Sequence, residues 1–189
     1  PKHKFNFFMD RQIACNCGSI NANTSQEAYL GQYRFEPNRF MQATWNSPLT
    51  SRLLLEAGVG ASISQWNQFW NPGVQARTVP ITDVGIGLSY GAASTYRGHP
   101  DFTNRKSQRF SATYVTGSHT FKTGVQLEEL FTDNFITGNG GNVSYLFRNG
   151  APISLTQRST PYLQQNGARE FGLFAQDQWR VSRWTFNYG

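Results

Sequence analysis

Hydrophobic and polar positions alternate with a period of two along several stretches of this chain, the pattern of a strand with two unlike faces. In 52–65, Leu53, Leu55, Ala57, Val59, Ala61 and Ile63 share one side, and Arg52, Glu56, Gly58, Gly60, Ser62 and Ser64 the other, with Leu54 the exception. Near the N-terminus Phe5, Phe7, Met9 and Ile13 oppose Lys4, Asn6, Asp10 and Gln12. Phe110, Ala112 and Tyr114 oppose Arg109, Ser111 and Thr113, while Phe121, Val125, Leu127 and Phe131 oppose Lys122, Gly124, Gln126 and Glu128. Phe171, Leu173, Ala175, Trp179 and Val181 oppose Gly172, Gln176, Gln178 and Arg180; Asp177 breaks the apolar side.

These runs predict about seven strands, at 3–14, 38–45, 52–65, 107–116, 120–132, 169–181 and 184–189. Short connections ("NSPLTS", "TGSH" and "SR") alternate with long polar ones, from Cys15 to Pro37, Asn67 to Arg105 and Asp133 to Arg169. The third long segment holds Asn149-Gly150 between two extended runs, a strong hairpin signal. Compact soluble domains rarely carry structureless loops beyond ~12–15 residues, whereas outer-membrane barrels pair short periplasmic turns with long extracellular loops. The fold class predicted is all-β: antiparallel strands of a partial transmembrane β-barrel spanning 1–189. The competing reading is an antiparallel sheet with one face on a protein core and one in water.

Aromatic residues sharpen the picture. They form 15% of the 189 residues, concentrated in Phe and Tyr, and Trp45, Tyr114, Trp179 and Trp184 fall near the turns, where a membrane girdle belongs. The long loops carry Tyr29, Tyr33, Trp66, Trp70, Tyr90, Tyr96 and Tyr145, candidates for stacking on a sugar or peptide ligand; the alternative is that they pack the loops together. The net charge of +6 is scattered rather than clustered, which argues against a nucleic-acid partner.

Candidate chemistry is sparse. His3, His99 and His119 are dispersed, and no metalloprotease, nucleophile-elbow or phosphate-loop motif is present, so no enzyme activity, cofactor or metal is expected. Glu128 and Glu129 project to opposite strand faces and cannot act as a pair; Glu128 reads as lumenal. Cys15 and Cys17 lack the spacing of a structural zinc site and read as a solvent-facing loop pair, open to oxidation.

The stretch "FGLFAQDQWRVSRWTFNYG" resembles the strand–turn–strand signature of TonB-dependent outer-membrane receptors, on Phe174, Gln176, Asp177, Trp179 and Trp184 to Gly189. "KHKFNFFMDRQ", "NSPLTSRLLLEAG" and "YVTGSHTFKTGVQ" are similar to barrel strands of the Oar-like branch, which carries a carboxypeptidase-regulatory-like domain. The resemblance implies a barrel of about 22 strands, plugged by an N-terminal domain and energised by the TonB complex to take up a bulky nutrient. The resemblance implies an internal barrel segment of such a receptor, with plug, TonB box and remaining strands expected to lie outside residues 1–189. Outer-membrane lipid, the TonB complex reached through that missing part, and an unidentified nutrient are the partners implied. The hairpin arm at 184–189 breaks off, so open edges are expected. The other functions compatible with the residues are edge-to-edge self-assembly into a fibre, and an extracellular carbohydrate- or peptide-binding module.

Overall fold

In a computed structural model the protein is described over residues 2–17, 21–98 and 100–189; His99 lies outside them. The strands are β1 (Lys4–Asn16), β2 (Gln32–Pro48), β3 (Leu53–Phe69), β4 (Ile81–Asp83), β5 (Leu88–Tyr90), β6 (Thr95–Arg97), β7 (Asp101–Thr116), β8 (His119–Gly138), β9 (Val143–Arg148), β10 (Ala151–Gln157), β11 (Tyr162–Val181) and β12 (Trp184–Tyr188). No α-helix occurs among the described residues. The main sheet runs β1-β2-β3-β7-β8-β11-β12 with every neighbouring pair antiparallel, and β6 pairs separately with the upper part of β8. A smaller sheet, β10-β9-β4-β5, is built from the second and third long connections. The main sheet is open: among the described residues β1 and β12 are its edges, and no closed barrel forms.

The seven alternating segments therefore become seven neighbouring strands in chain order. Tight turns join them at one end. Thr50 caps the first, its Oγ1 accepting the backbone N–H of Arg52 and Leu53 at 3.1 and 3.0 Å. Gly117 (φ 52°) and Ser182 (φ 50°) supply the left-handed residues that the other two require.

At the opposite end the strands run further than alternation indicates. β2 starts at Gln32 rather than 38, β7 at Asp101 rather than 107, and β11 at Tyr162 rather than 169, while β8 reaches Gly138 rather than 132. Pro37 does not end β2. It sits in a bulge, where the β2–β3 register jumps from Phe35 to Asn38 and the β1–β2 register shifts between Gln12 and Ala14. A residue without an N–H is tolerated in an inner strand at such a break.

The buried apolar residues among those described are Val74, Ala92, Ala93, Tyr96 and Ile136, all within or against the long connections. Neither face of the main sheet covers a core of its own. The apolar side chains that alternation defines stand in the open, Phe7 and Leu173 each 71% exposed.

Candidate functional site: a two-faced sheet and an interlocked loop layer

Strand register brings the apolar positions into one continuous surface. Phe7, Ala43, Val59, Gln108, Leu127 and Phe171 are successive cross-strand partners, as are Phe5, Trp45, Ala57, Phe110, Val125 and Leu173. Gln108 is the one polar residue in those two rows. Toward the short turns the surface ends in aromatic side chains. Trp45 donates its Nε1–H to Nδ1 of His3 at 3.3 Å, and the two rings stack at 6.0 Å. The His119 ring lies parallel to both Phe121 and Trp179, at 5.3 and 5.6 Å, and Trp179 meets Phe186 at 5.7 Å. Tyr114 and Trp184 complete this rim, both exposed. Asp177, which breaks the alternation, takes its place here: its Oδ2 lies 2.7 Å from Nδ1 of His119, so one of its two oxygens is partnered at the rim.

Toward the loops the same surface ends in charge. Lys106, Glu129 and Arg169 are neighbours in one row, and Arg169 Nε forms an ion pair with Glu129 Oε1 at 3.2 Å. Arg11 and Arg39 face each other one row higher. Glu129 is thus a member of a charged belt. The apolar surface between rim and belt runs from Phe121 to Glu129 on β8, roughly 26 Å at the usual rise per residue.

The opposite face is polar and crowded. Glu56 Oε2 accepts from Lys122 Nζ at 2.8 Å and from Ser111 Oγ at 3.2 Å, linking β3, β7 and β8. Glu128 pairs with Arg105 and accepts from Gln126 Nε2 at 2.9 Å, in keeping with the polar-side position the alternation gives it. The glycines of this face leave room for neighbours. A Cβ at Gly58 would stand 2.9 Å from Arg109 Nε, and one at Gly124 would meet the Phe110 carbonyl at 2.4 Å and the Phe174 ring at 2.6 Å. Phe174 lies opposite Gly124 and covers it, which places an aromatic ring on the polar side.

The three long connections lock into one layer. Asn71 Nδ2 donates to the carbonyls of Gln26 and Tyr29 at 2.8 and 3.0 Å, and Ser25 N–H donates to Ser89 O at 2.8 Å, joining the first connection to the second. Asn139, 2% exposed, joins the second to the third: its Nδ2 donates to Gln75 O and Thr78 O at 3.2 and 2.8 Å. Asp83, 1% exposed, accepts from the backbone N–H of Gly85 and Asn149 at 2.9 Å and of Gly150 at 2.7 Å. Asn149 and Gly150 have φ 52° and 81° and form the turn that joins β9 to β10, where the dipeptide signal places it. Burial alone would raise the Asp83 carboxyl, but N–H groups of Gly150, Gly85, Asn149 and Ile86 outweigh it and hold the group below its ordinary value. Asp101, fully buried at the start of β7, behaves oppositely: burial pushes its carboxyl up, against one short bond from Phe135 N–H at 2.7 Å. None of Asn71, Asn139, Asp83 and Asp101 stood out in the sequence; Asp83-Val84-Gly85 is the one local turn signal among them.

The seven loop aromatics do not converge. Tyr33 packs on Trp66 at 5.4 Å along β2–β3. Trp70 meets Tyr96 edge-on at 6.4 Å, and Tyr96, 4% exposed, belongs to the loop core rather than to a surface. Tyr29 offers its carbonyl to Asn71. Tyr90 and Tyr145 flank Ile81, with which both pair, so Leu155, Tyr145, Ile81 and Tyr90 form one row across the small sheet. Cys15 and Cys17 form a disulfide with both residues exposed.

No protein-family description and no curated sequence matches the chain. Among solved structures, the outer membrane transporter YddB from Escherichia coli matches with 9% sequence identity and a TM-score of 0.45, over 93% of this chain and 23% of that one. The chain thus spans less than a quarter of that transporter's length.

Proposed function

We propose that this chain forms part of the wall of an outer-membrane β-barrel transporter, with its tight turns on the periplasmic side and its loop layer outside. One observation carries this reading: an exposed apolar surface, continuous across the main sheet, framed by an aromatic rim at one end and a charged belt at the other. A surface of that extent is untenable in water unless something apolar covers it. At the 35–45° tilt of barrel strands, roughly 26 Å of strand gives about 20 Å of height, close to the ~25 Å apolar band of such barrels. Aromatic rim and cation stems extend it at both ends. The polar face, with its carboxylates paired to Lys122 and Arg105, would line the lumen. In this reading β1 and β12 pair with further strands.

Partition of the full chain between detergent-free buffer, detergent micelles and lipid vesicles tests the proposal. Insertion into micelles and vesicles as dispersed protein is the expected result. A stable monomer in plain buffer would overturn it in favour of a secreted binding module. Filaments that persist in detergent would overturn it in favour of edge-to-edge assembly through β1 and β12.

The resemblance of residues 174–189 to TonB-dependent receptors, and of the other strands to the Oar-like branch, supplies the transport half: uptake of a bulky nutrient driven through the TonB complex. Uptake in intact cells should then stop when a protonophore collapses the proton gradient. The row formed by Tyr145, Ile81 and Tyr90 is the loop surface best arranged to meet that nutrient. Screening oligosaccharides and peptides against the detergent-solubilised chain should give a binder that Tyr90→Ala/Tyr145→Ala weakens tenfold or more. Equal binding by the variant removes these residues from the site.

A further inference from the structure

The charged belt does more than end the apolar surface. Lys106, Glu129 and Arg169 stand side by side on the outward face, with Asn104, Phe131 and Gly167 in the next row toward the loops. Together these residues line a cleft of about 480 Å³. Gly167 opens it, since the strand there carries no side chain between Phe131 and solvent. Arg169 meets Glu129 through Nε, and its side chain is 87% exposed. Lys106 is exposed and has no ion-pair partner among the described residues.

A second observation points the same way. Arg11 and Arg39 are direct cross-strand partners on this face, and neither has a carboxylate partner among the described residues. Like charges placed directly opposite each other destabilise a sheet. The belt therefore sets four cations against one anion over two adjacent rows of the outward face, an arrangement that an external anion would relieve.

We infer that this cleft binds the phosphate-bearing headgroup of an anionic lipid at the outer edge of the membrane, with Lys106 and Arg169 as phosphate donors. This rests on the membrane reading proposed above. Phosphate is the shared chemistry of a lipid headgroup and of free phosphate, and the geometry selects the lipid. Immediately below the cleft, Leu127 and Phe171 are cross-strand partners on the exposed apolar face, so a ligand with its phosphate at Lys106 and Arg169 lays its chains on them.

The test compares the full chain in vesicles of phosphatidylcholine alone and of phosphatidylcholine with phosphatidylglycerol. A cation near an anionic surface contributes roughly fivefold in partition. Lys106→Ala/Arg169→Ala should therefore lose about 25-fold of the preference for anionic vesicles and keep its partition into neutral ones. Gly167→Leu keeps every charge but fills the cleft; its Cβ has room, with Leu130 O the nearest atom at 3.6 Å. It should lose the same preference. Arg77→Ala/Arg148→Ala, which removes two loop-layer cations, should leave it unchanged.

Three results would overturn the inference while the membrane reading stands: equal partition of the wild type into both vesicles, full anionic preference in Gly167→Leu, or displacement of the lipid by millimolar inorganic phosphate. Failure to enter either vesicle would remove the membrane reading, and this inference with it.

Discussion

Replacing Asn139 by alanine probes whether the long connections form a unit with its own stability. The side chain is buried between the second and third connections, and its Nδ2 donates to two carbonyls, Gln75 O at 3.2 Å and Thr78 O at 2.8 Å. Truncation removes two hydrogen bonds; Gln75 O keeps the Thr78 N–H at 2.9 Å, whereas Thr78 O is left facing the void. At about 1–2 kcal/mol for the carbonyl that loses its donor and about 0.5–1 kcal/mol for the other bond, the layer should lose about 1.5–3 kcal/mol. Hydrogen exchange measures this locally. Opening of the segment 74–98 should accelerate by roughly 10- to 200-fold, at 1.36 kcal/mol per tenfold, while the β2–β3 ladder keeps its rates. Asn139→Asp keeps the shape but turns an acceptor toward two acceptors, so it should be at least as damaging. An acceleration below threefold would refute the role of Asn139. Equal acceleration in segment 74–98 and in β2–β3 would refute the idea that the loop layer opens separately from the sheet.

Other outcomes follow from the two faces and the Asp83 clamp. Leu173→Arg, on the apolar face, should cost about 2–4 kcal/mol in lipid, whereas Ser107→Arg, on the polar face opposite Glu128, should cost almost nothing; urea titration in vesicles compares them, and equal penalties would contradict the assignment of faces. Asp83 has a folded pKa below its unfolded value, so it stabilises the loop layer above the ordinary carboxylate range and that contribution is lost as pH falls through the folded value. Protection of the Gly150 and Asn149 amides should therefore fall below about pH 4, and Asp83→Asn should show little of that acid dependence. A Cβ at Gly85 would sit 2.1 Å from Asn149 Oδ1 and 2.6 Å from its backbone N, so Gly85→Ala should open the same clamp at neutral pH, read as faster exchange at Asn149 and Gly150.

How far the sequence could be read depended on contrast between the two sides of each strand. Where one side is apolar and the other wet, alternation located the strands: Leu53 to Ile63 and Phe121 to Leu127 are examples. Above the belt that contrast vanishes. Thr103 to Arg105 and Gln164 to Arg169 are polar or small on both sides, and the ladder continues through them without any period to reveal it. The same loss hid β4, β5 and β6, each three residues long, whereas β9 and β10 were visible through Asn149-Gly150. Two apparent exceptions have local causes. Phe174 fills the space left by Gly124 across the strand pair, and Asp177 finds His119 at the rim. Neither partner can be identified before register is known. The loop aromatics were legible as residues but not as a site, because stacking on Trp66, burial around Tyr96 and pairing through Ile81 depend on how distant loops interlock.

The central claim is that the apolar face meets lipid, with Trp45, Trp179 and Trp184 at its boundary. Depth-dependent fluorescence quenching tests it directly. In a Trp66→Phe/Trp70→Phe variant of the full chain, reconstituted into vesicles of brominated phospholipid, the remaining tryptophans report on the rim alone. Strong quenching by bromines placed near the headgroup, weakening toward the chain ends, is the predicted result. Emission untouched by bromine at every depth would contradict the account, because a rim that never meets acyl chain cannot border a membrane-facing surface.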